Sequence, residues 1–228
     1  ISIGMLLSAL AMTWHLVHFH YVKFNKESMY EVSKKIILLC IPLLLSAQFI
    51  AGILNEALDL TDTNQELFIS MSHNIFGVLS IAIVVPILEE VLFRGAIEGH
   101  LLRKGWSPKW AILVSALIFG IIHGNPAQIP FAFLIGLLFG WLYYRTGSLV
   151  PGIVGHIINN SFGAWTMFTA TREELSQTTM ETLGTTITYI LLVLAIIVFI
   201  GMYLYLNKYL PKPTNIQVKA INEQDITI

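Results

Sequence analysis

Long apolar runs broken by short polar stretches set the pattern of this chain. Seven stretches reach or approach the roughly 20 residues that crossing hydrocarbon requires: about 1–22, 36–58, 75–102, 109–124, 127–145, 149–169 and 186–207. The pattern predicts an all-α, polytopic transmembrane helix bundle of about seven spans. Gly124-Asn125-Pro126 alone separates the fourth run from the fifth, a strong breaker that reads as a tight turn between antiparallel helices. From Pro211 onward the sequence turns polar, with two prolines and no apolar stripe, and reads as a flexible extension. The expected organisation is one helical domain over 1–210, followed by a tail at 211–228. No internal repeat or low-complexity tract is visible.

Composition sharpens this picture. Of 228 residues, 55% are hydrophobic and 12% charged, against about a quarter charged in an ordinary soluble domain, so a bilayer is the solvent the chain expects. The net charge of -1 and the lack of a basic block give no footprint for nucleic acid. The one cysteine, Cys40, lies within IILLCIPLLL and reads as a packing residue. The opening ISIGMLLSAL lacks a basic n-region and does not read as a signal peptide.

Basic residues set the expected orientation. Lys23, Lys26, Lys34 and Lys35 follow the first run; Arg103, Lys104 and Lys109 flank the third-to-fourth junction. Arg145 follows the fifth run, and Lys208, Lys212 and Lys219 lie in the tail. These loops and the C-terminus are expected in the cytoplasm, with Ile1 outside, which would fit eight spans in a full-length protein. The alternate loops carry Asp59, Asp62 and Glu66, or Arg172 beside Glu173, Glu174 and Glu181. Trp106, Trp110, Trp141, Tyr143, Tyr144, Tyr203, Tyr205 and Tyr209 crowd the basic ends, as an interfacial aromatic belt would.

Ionisable groups inside such spans are costly, about 2.5–3.5 kcal/mol each, and their default reading is functional. The third run holds Glu89, Glu90 and Arg94. Glu90 and Arg94, four residues apart, share a helix face and can pair, while Glu89 points about 100° away. Pro86 should kink this helix and release a carbonyl near the pair. The fourth run ends with Phe119 and His123, and the sixth places His156 and Asn160 one turn apart. Glu90 lies 13 residues from Arg103, His123 14 from Lys109 and Asn160 15 from Arg145, so all three sit roughly 20 Å from one surface. By contrast, His15, His18 and His20 near an interface, His73 in an outer loop, and the Gly136/Gly140 pair read as structural.

A cluster of this kind suits peptide hydrolysis. Glu89 with His123 can activate a water, and His156 with Asn160 can direct N–H groups at a developing oxyanion. Ser115 and Ser161 are weak candidates for covalent chemistry. A non-enzymatic membrane scaffold regulating a partner, and a proton-coupled transporter, are the competing readings.

The strings Glu89-Glu90-xxx-Arg94, Phe119-xxx-His123 and His156-xxx-Asn160, in that order, resemble the EExxxR, FxxxH and HxxxN motifs of the CPBP family. That family comprises type II CAAX prenyl proteases and bacterial bacteriocin-processing or self-immunity proteins. The resemblance covers about 75–165. It implies an intramembrane endopeptidase in which Glu89 and His123 activate water, His156 and Asn160 hold the oxyanion, and Glu90, Arg94 and Phe119 support them. Its expected substrate is a peptide or protein, carrying a prenylated tail or a leader, met at the lipid bilayer of a bacterial cell. Oligomeric state is not legible. No cofactor is expected, although Glu89, His123 and His156 are the residues that would hold zinc if the mechanism were metal-dependent; no HExxH motif is present.

Overall fold

The computed structural model describes residues 1–22 and 32–210. The proposed tail at 211–228, and Lys23 and Lys26 of the first basic loop, lie outside the described residues. Seven main helices stand where the apolar runs place them: α1 (Ser2–His18), α2 (Lys34–Glu56), α4 (Ile75–Arg103), α5 (Pro108–Ile122), α6 (Ile129–Thr146), α7 (Val150–Thr169) and α10 (Thr185–Tyr209). Among the described residues there are also three short helices: α3 (Gln65–Ser72), α8 (Arg172–Ser176) and α9 (Thr179–Leu183). The described residues contain no strand.

Four helices, α2, α4, α6 and α10, are long and apolar enough to cross a membrane by length and composition. Helices α1 and α5 are apolar but shorter, and α7 has 20 residues with His156, Asn159 and Asn160 among them. The first helix ends at His18, four residues before the expected limit, and His20 follows with a positive φ of 58°. On α10 only Thr188 and Leu206 are buried, and side chains such as Ile187, Leu194, Ile197 and Leu204 stand open to the surroundings. That exposure suits a helix solvated by lipid.

Local chemistry explains the helix ends. Ser33 accepts from the Ile36 N–H to start α2, and Asn74 accepts from Phe76 and Gly77 to start α4. Gly147, at φ 67°, lets the chain leave α6 in the left-handed conformation that a Cβ would penalise. Thr171 and Thr178 each close a capping box with Glu174 and Glu181, which nucleates α8 and α9 in what the sequence reading took as plain loop. At the other end, Arg145 donates to the Asn207 side chain and to the Asn207 and Leu210 carbonyls, capping the C-terminus of α10.

Helices α5 and α6 form the expected antiparallel hairpin. Asn125 of its turn is fully buried: it accepts from the Thr63 N–H at 3.1 Å and donates to Asp62 at 2.7 Å, pinning the segment before α3. Helix α7 packs against α2, α3, α4 and α6, while α10 packs on α2. One apolar core joins α2, α6 and α10 through Cys40, Leu43, Leu44, Phe139, Leu142 and Leu206.

Helix α4 is not uniform. Its stretches Ser80–Val84 and Val91–Glu98 are π-helical, in which each N–H reaches the carbonyl five residues back. The Val85 N–H accordingly donates to Ser80. In that register the next carbonyl, Ile81, would be served by Pro86, which has no N–H. Pro86 therefore orphans the Ile81 oxygen, one residue earlier in the chain than α-helical geometry would give.

Candidate active site

The freed carbonyl is used at once. Asn160 Nδ2 on α7 donates to Ile81 O at 2.9 Å, tying α7 to the π-turn of α4. Six residues further along α4, Ile87 to Arg94 carry the acid–base groups. Arg94 Nη1 lies 3.0 Å from Glu90 Oε1, the pair expected from their spacing, and both side chains are 1% exposed. Arg94 also donates to the Gly136 carbonyl at 3.2 Å, and its guanidinium lies over the Phe119 ring, 4.4 Å from the centroid. Phe119 thereby acts as a face for the cation and stacks edge-on against His123 and His156.

His156 links the two carboxylates. Its Nδ1 is 3.1 Å from Glu90 Oε1 and its Nε2 is 3.4 Å from Glu89 Oε2. Two nitrogen–oxygen contacts need two protons between them, shared among one imidazole and two carboxyls. The sequence reading had paired Glu89 with His123 and left His156 free to face an oxyanion. Packing of α7 against α4 also puts His156 beside Glu89. His123 lies just past the end of α5, half-buried, and its Nδ1 donates to the Phe119 carbonyl at 2.7 Å. A carbonyl can only accept, so the neutral ring keeps Nε2 as its basic nitrogen.

All four predicted groups nonetheless meet one space. Glu89, His123, His156 and Asn160 line a cavity of about 570 Å³ whose other walls are mostly apolar, among them Phe68, Phe93, Phe131 and Met167. Glu89 is 19% exposed there, and Glu90 and Arg94 are shut away behind it. Ser115 is occupied elsewhere, donating to the Phe93 carbonyl at 2.8 Å. His73 caps α3 and bonds Ile69 O, while the rings of His15 and His18 lie against Phe19 and Trp14.

Glycines make room for the carboxylates. A Cβ on Gly152 would stand 2.6 Å from Glu90 Oε2, and one on Gly140 would stand 2.7 Å from Glu98 Oε2. The Gly136/Gly140 pair thus does more than let helices approach: Gly136 supplies a carbonyl to Arg94 and Gly140 houses a carboxyl group. Glu98 is 0% exposed, neither of its oxygens has a hydrogen-bond partner, and the sequence reading passed over it. Its signal was present, because Glu98 follows Arg94 by the same four residues that separate Arg94 from Glu90. Asn159, which donates to Asn160 Oδ1 at 3.0 Å and lines the cavity, was missed as well.

Among the described residues, no three His, Cys, Asp or Glu side chains converge in a way that would hold a metal ion. His123 Nδ1 meets the Phe119 carbonyl and leaves Nε2 open, while the two ring nitrogens of His156 lie 3.1 Å from Glu90 and 3.4 Å from Glu89.

Fold and site together define a class: a helical membrane protein with an acid–base cluster set inside its bundle. Residues 71–162 match the family described as type II CAAX prenyl endopeptidase Rce1-like, a segment that contains every candidate site residue. The chain is 38% identical over 81 residues to the Bacillus subtilis (strain 168) protein named "Putative membrane peptidase YdiL", covering 36% of this chain and 33% of that one. It is 33% identical over 106 residues to the membrane-embedded CAAX protease MroQ of Staphylococcus aureus (strain USA300), covering 44% and 42%. It is 28% identical over 122 residues to the UPF0177 protein YxdF of Lactococcus lactis subsp. lactis (strain IL1403), covering 53% and 63%. The aligned segments span between a third and somewhat under two thirds of these relatives. No solved structure matches.

Proposed function

We propose that this chain is an intramembrane endopeptidase that hydrolyses a peptide bond with a water activated by Glu89. The observation that carries the reading is the meeting of Glu89, His123, His156 and Asn160 on one largely apolar cavity within the bundle. Similarity to a membrane peptidase and a CAAX protease supports it.

In the proposed chemistry, His123 Nε2 accepts one O–H of the water and Glu89 takes the other proton as the oxygen attacks the scissile carbonyl carbon. The carbonyl oxygen becomes an oxyanion, held by an Asn160 N–H and by His156 Nε2–H. The 3.4 Å contact from His156 Nε2 to Glu89 gives this step its timing. Once Glu89 has gained a proton, its pull on that N–H weakens and the donor is released to the oxyanion. Collapse breaks the C–N bond, and the proton on Glu89 passes to the departing amine. Glu90 and Arg94 hold His156 from behind without touching substrate. The proposed chemistry uses no metal ion. The substrate is a membrane-associated peptide with a prenylated tail or a leader segment, and the setting is a bacterial cell membrane with the C-terminus in the cytoplasm.

The test is cleavage of a farnesylated CAAX peptide and a panel of leader peptides by detergent-purified protein, with and without chelator. Cleavage should be lost in Glu89→Gln and His123→Ala while their melting temperatures stay near that of the parent, and chelator should have no effect. Loss of cleavage on chelation would restore zinc. Cleavage that survives Glu89→Gln, or a folded protein that cuts nothing, would overturn the reading and favour a scaffold.

A further inference from the structure

We infer that Asn159 is a positioning residue that holds the Asn160 amide with its N–H end toward the reacting centre. The inference rests on the proposed role of Asn160 as an oxyanion donor. A primary amide can turn over at little steric cost, exchanging its oxygen and nitrogen, and only its neighbours choose between the two. Here the Ile81 carbonyl makes the choice and Asn159 reinforces it. Asn159 Nδ2 donates to Asn160 Oδ1 at 3.0 Å, matching an acceptor at that position. Ile81 O receives Asn160 Nδ2 at 2.9 Å, so that position must hold a donor. Turning the amide would set oxygen against the Ile81 oxygen and nitrogen against the Asn159 nitrogen, replacing two hydrogen bonds with two like contacts.

The carbonyl half of this clamp exists because Pro86 leaves Ile81 O without a backbone partner in the π-turn. Of the two hydrogens on Asn160 Nδ2, one is spent on Ile81. The second remains for the cavity that both asparagines line. Asn159 itself stays one bond removed from the chemistry.

A double-mutant cycle on kcat and KM tests the inference, using the cleaved peptide as probe and melting temperature as the control for folding. Asn159→Ala should lower kcat by roughly 2- to 13-fold, the worth of one neutral hydrogen bond, with KM little changed. Asn159→Asp should cost more, since a carboxylate accepts where a donor is needed and turns the amide over. Asn159→Ser, which keeps a short donor, should recover part of the loss. In an Asn160→Ala background, Asn159→Ala should have no further effect. Losses that multiply in the double variant, or a change confined to KM, would overturn the inference by showing that Asn159 meets substrate directly. If Asn160→Ala itself costs less than tenfold, the oxyanion reading fails first and this inference falls with it. A full cost for Asn160→Ala beside an unaffected Asn159→Ala would sink the inference alone.

Discussion

Replacing Gly152 with alanine is the sharpest way to strain the cluster from behind. The new Cβ would stand 2.6 Å from Glu90 Oε2 and 3.3 Å from its carboxyl carbon, whereas ordinary contact begins near 3.4 Å. The carboxylate must therefore retreat by about 0.8 Å, the difference between the two oxygen distances. It has little freedom to do so. Glu90 Oε1 is held at 3.0 Å by Arg94 and at 3.1 Å by His156, and the side chain is 1% exposed. Overpacking of this kind costs about 1–3 kcal/mol, offset by up to about 1 kcal/mol because alanine suits a helix better than glycine. A net loss of about 1–2 kcal/mol lowers the melting temperature of a chain this long by about 2–8 °C. Turnover should fall further, because His156 moves with Glu90 and a displacement near 1 Å at a reacting centre is worth about 100-fold. Gly201→Ala is the control, since nothing stands within 4 Å of its Cβ. Thermal unfolding in detergent with initial rates of cleavage reads both effects. Gly152→Ala with unchanged melting and turnover would show that Glu90 does not hold His156 in place.

Two further outcomes follow from groups away from the cavity. Glu98→Met should raise the melting temperature, because Glu98 is wholly buried without a hydrogen-bond partner and Gly140 leaves space for a side chain of similar volume; stranded polar groups cost about 1–3 kcal/mol, and a fall of similar size would reveal a partner that Glu98 satisfies. The carboxyls of Glu174 and Glu181 are held below the ordinary value of 4.5 by the backbone N–H groups of Thr171 and Thr178. A depressed folded-state value means that their contribution is whole above 4.5 and fades as pH falls through the lowered value. Protection of the Thr171 and Thr178 amides, taken relative to the intrinsic exchange rate at each pH, should therefore fall on acidification below 4.5 and stay flat above it, and protection insensitive to that window would disprove the capping roles.

Much of the bundle was legible because a bilayer imposes length: a run of some 20 apolar residues has few structural alternatives. The Glu90–Arg94 pair was legible for a local reason, the four-residue spacing along one helix. The partner of His156 was not, because spacing along α7 says which residues share its face and nothing about which face of α4 it meets. Matched depth placed Glu89 and His123 in one layer, and both line the one cavity, but that His156 also stands beside Glu89 depends on how α7 meets α4. Release of a carbonyl by Pro86 was readable, but its identity was not; only the π-register makes it Ile81 rather than Ala82. Helices α8 and α9 could have been found, since Thr171-x-x-Glu174 and Thr178-x-x-Glu181 spell their capping boxes in the sequence. Glu98 escaped notice because it lies close to the basic end, where a carboxylate is ordinarily assumed to reach water.

The sparse burial of α10 divides the molecule into a tool and a handle. No residue lining the cavity, among those described, comes from α10 or from α2 on which it lies. The matched segment 71–162 likewise contains neither helix. Lipid, rather than protein, sets the surface that α10 must satisfy, so many apolar sequences serve there equally well. Sequence drift along α10 reaches the chemistry indirectly, through α2, through its packing on α6 at Trp141 and Leu142, and through the grip of Arg145 on Asn207 and Leu210. The handle can therefore adapt to membranes of differing thickness or composition while the working end keeps its geometry.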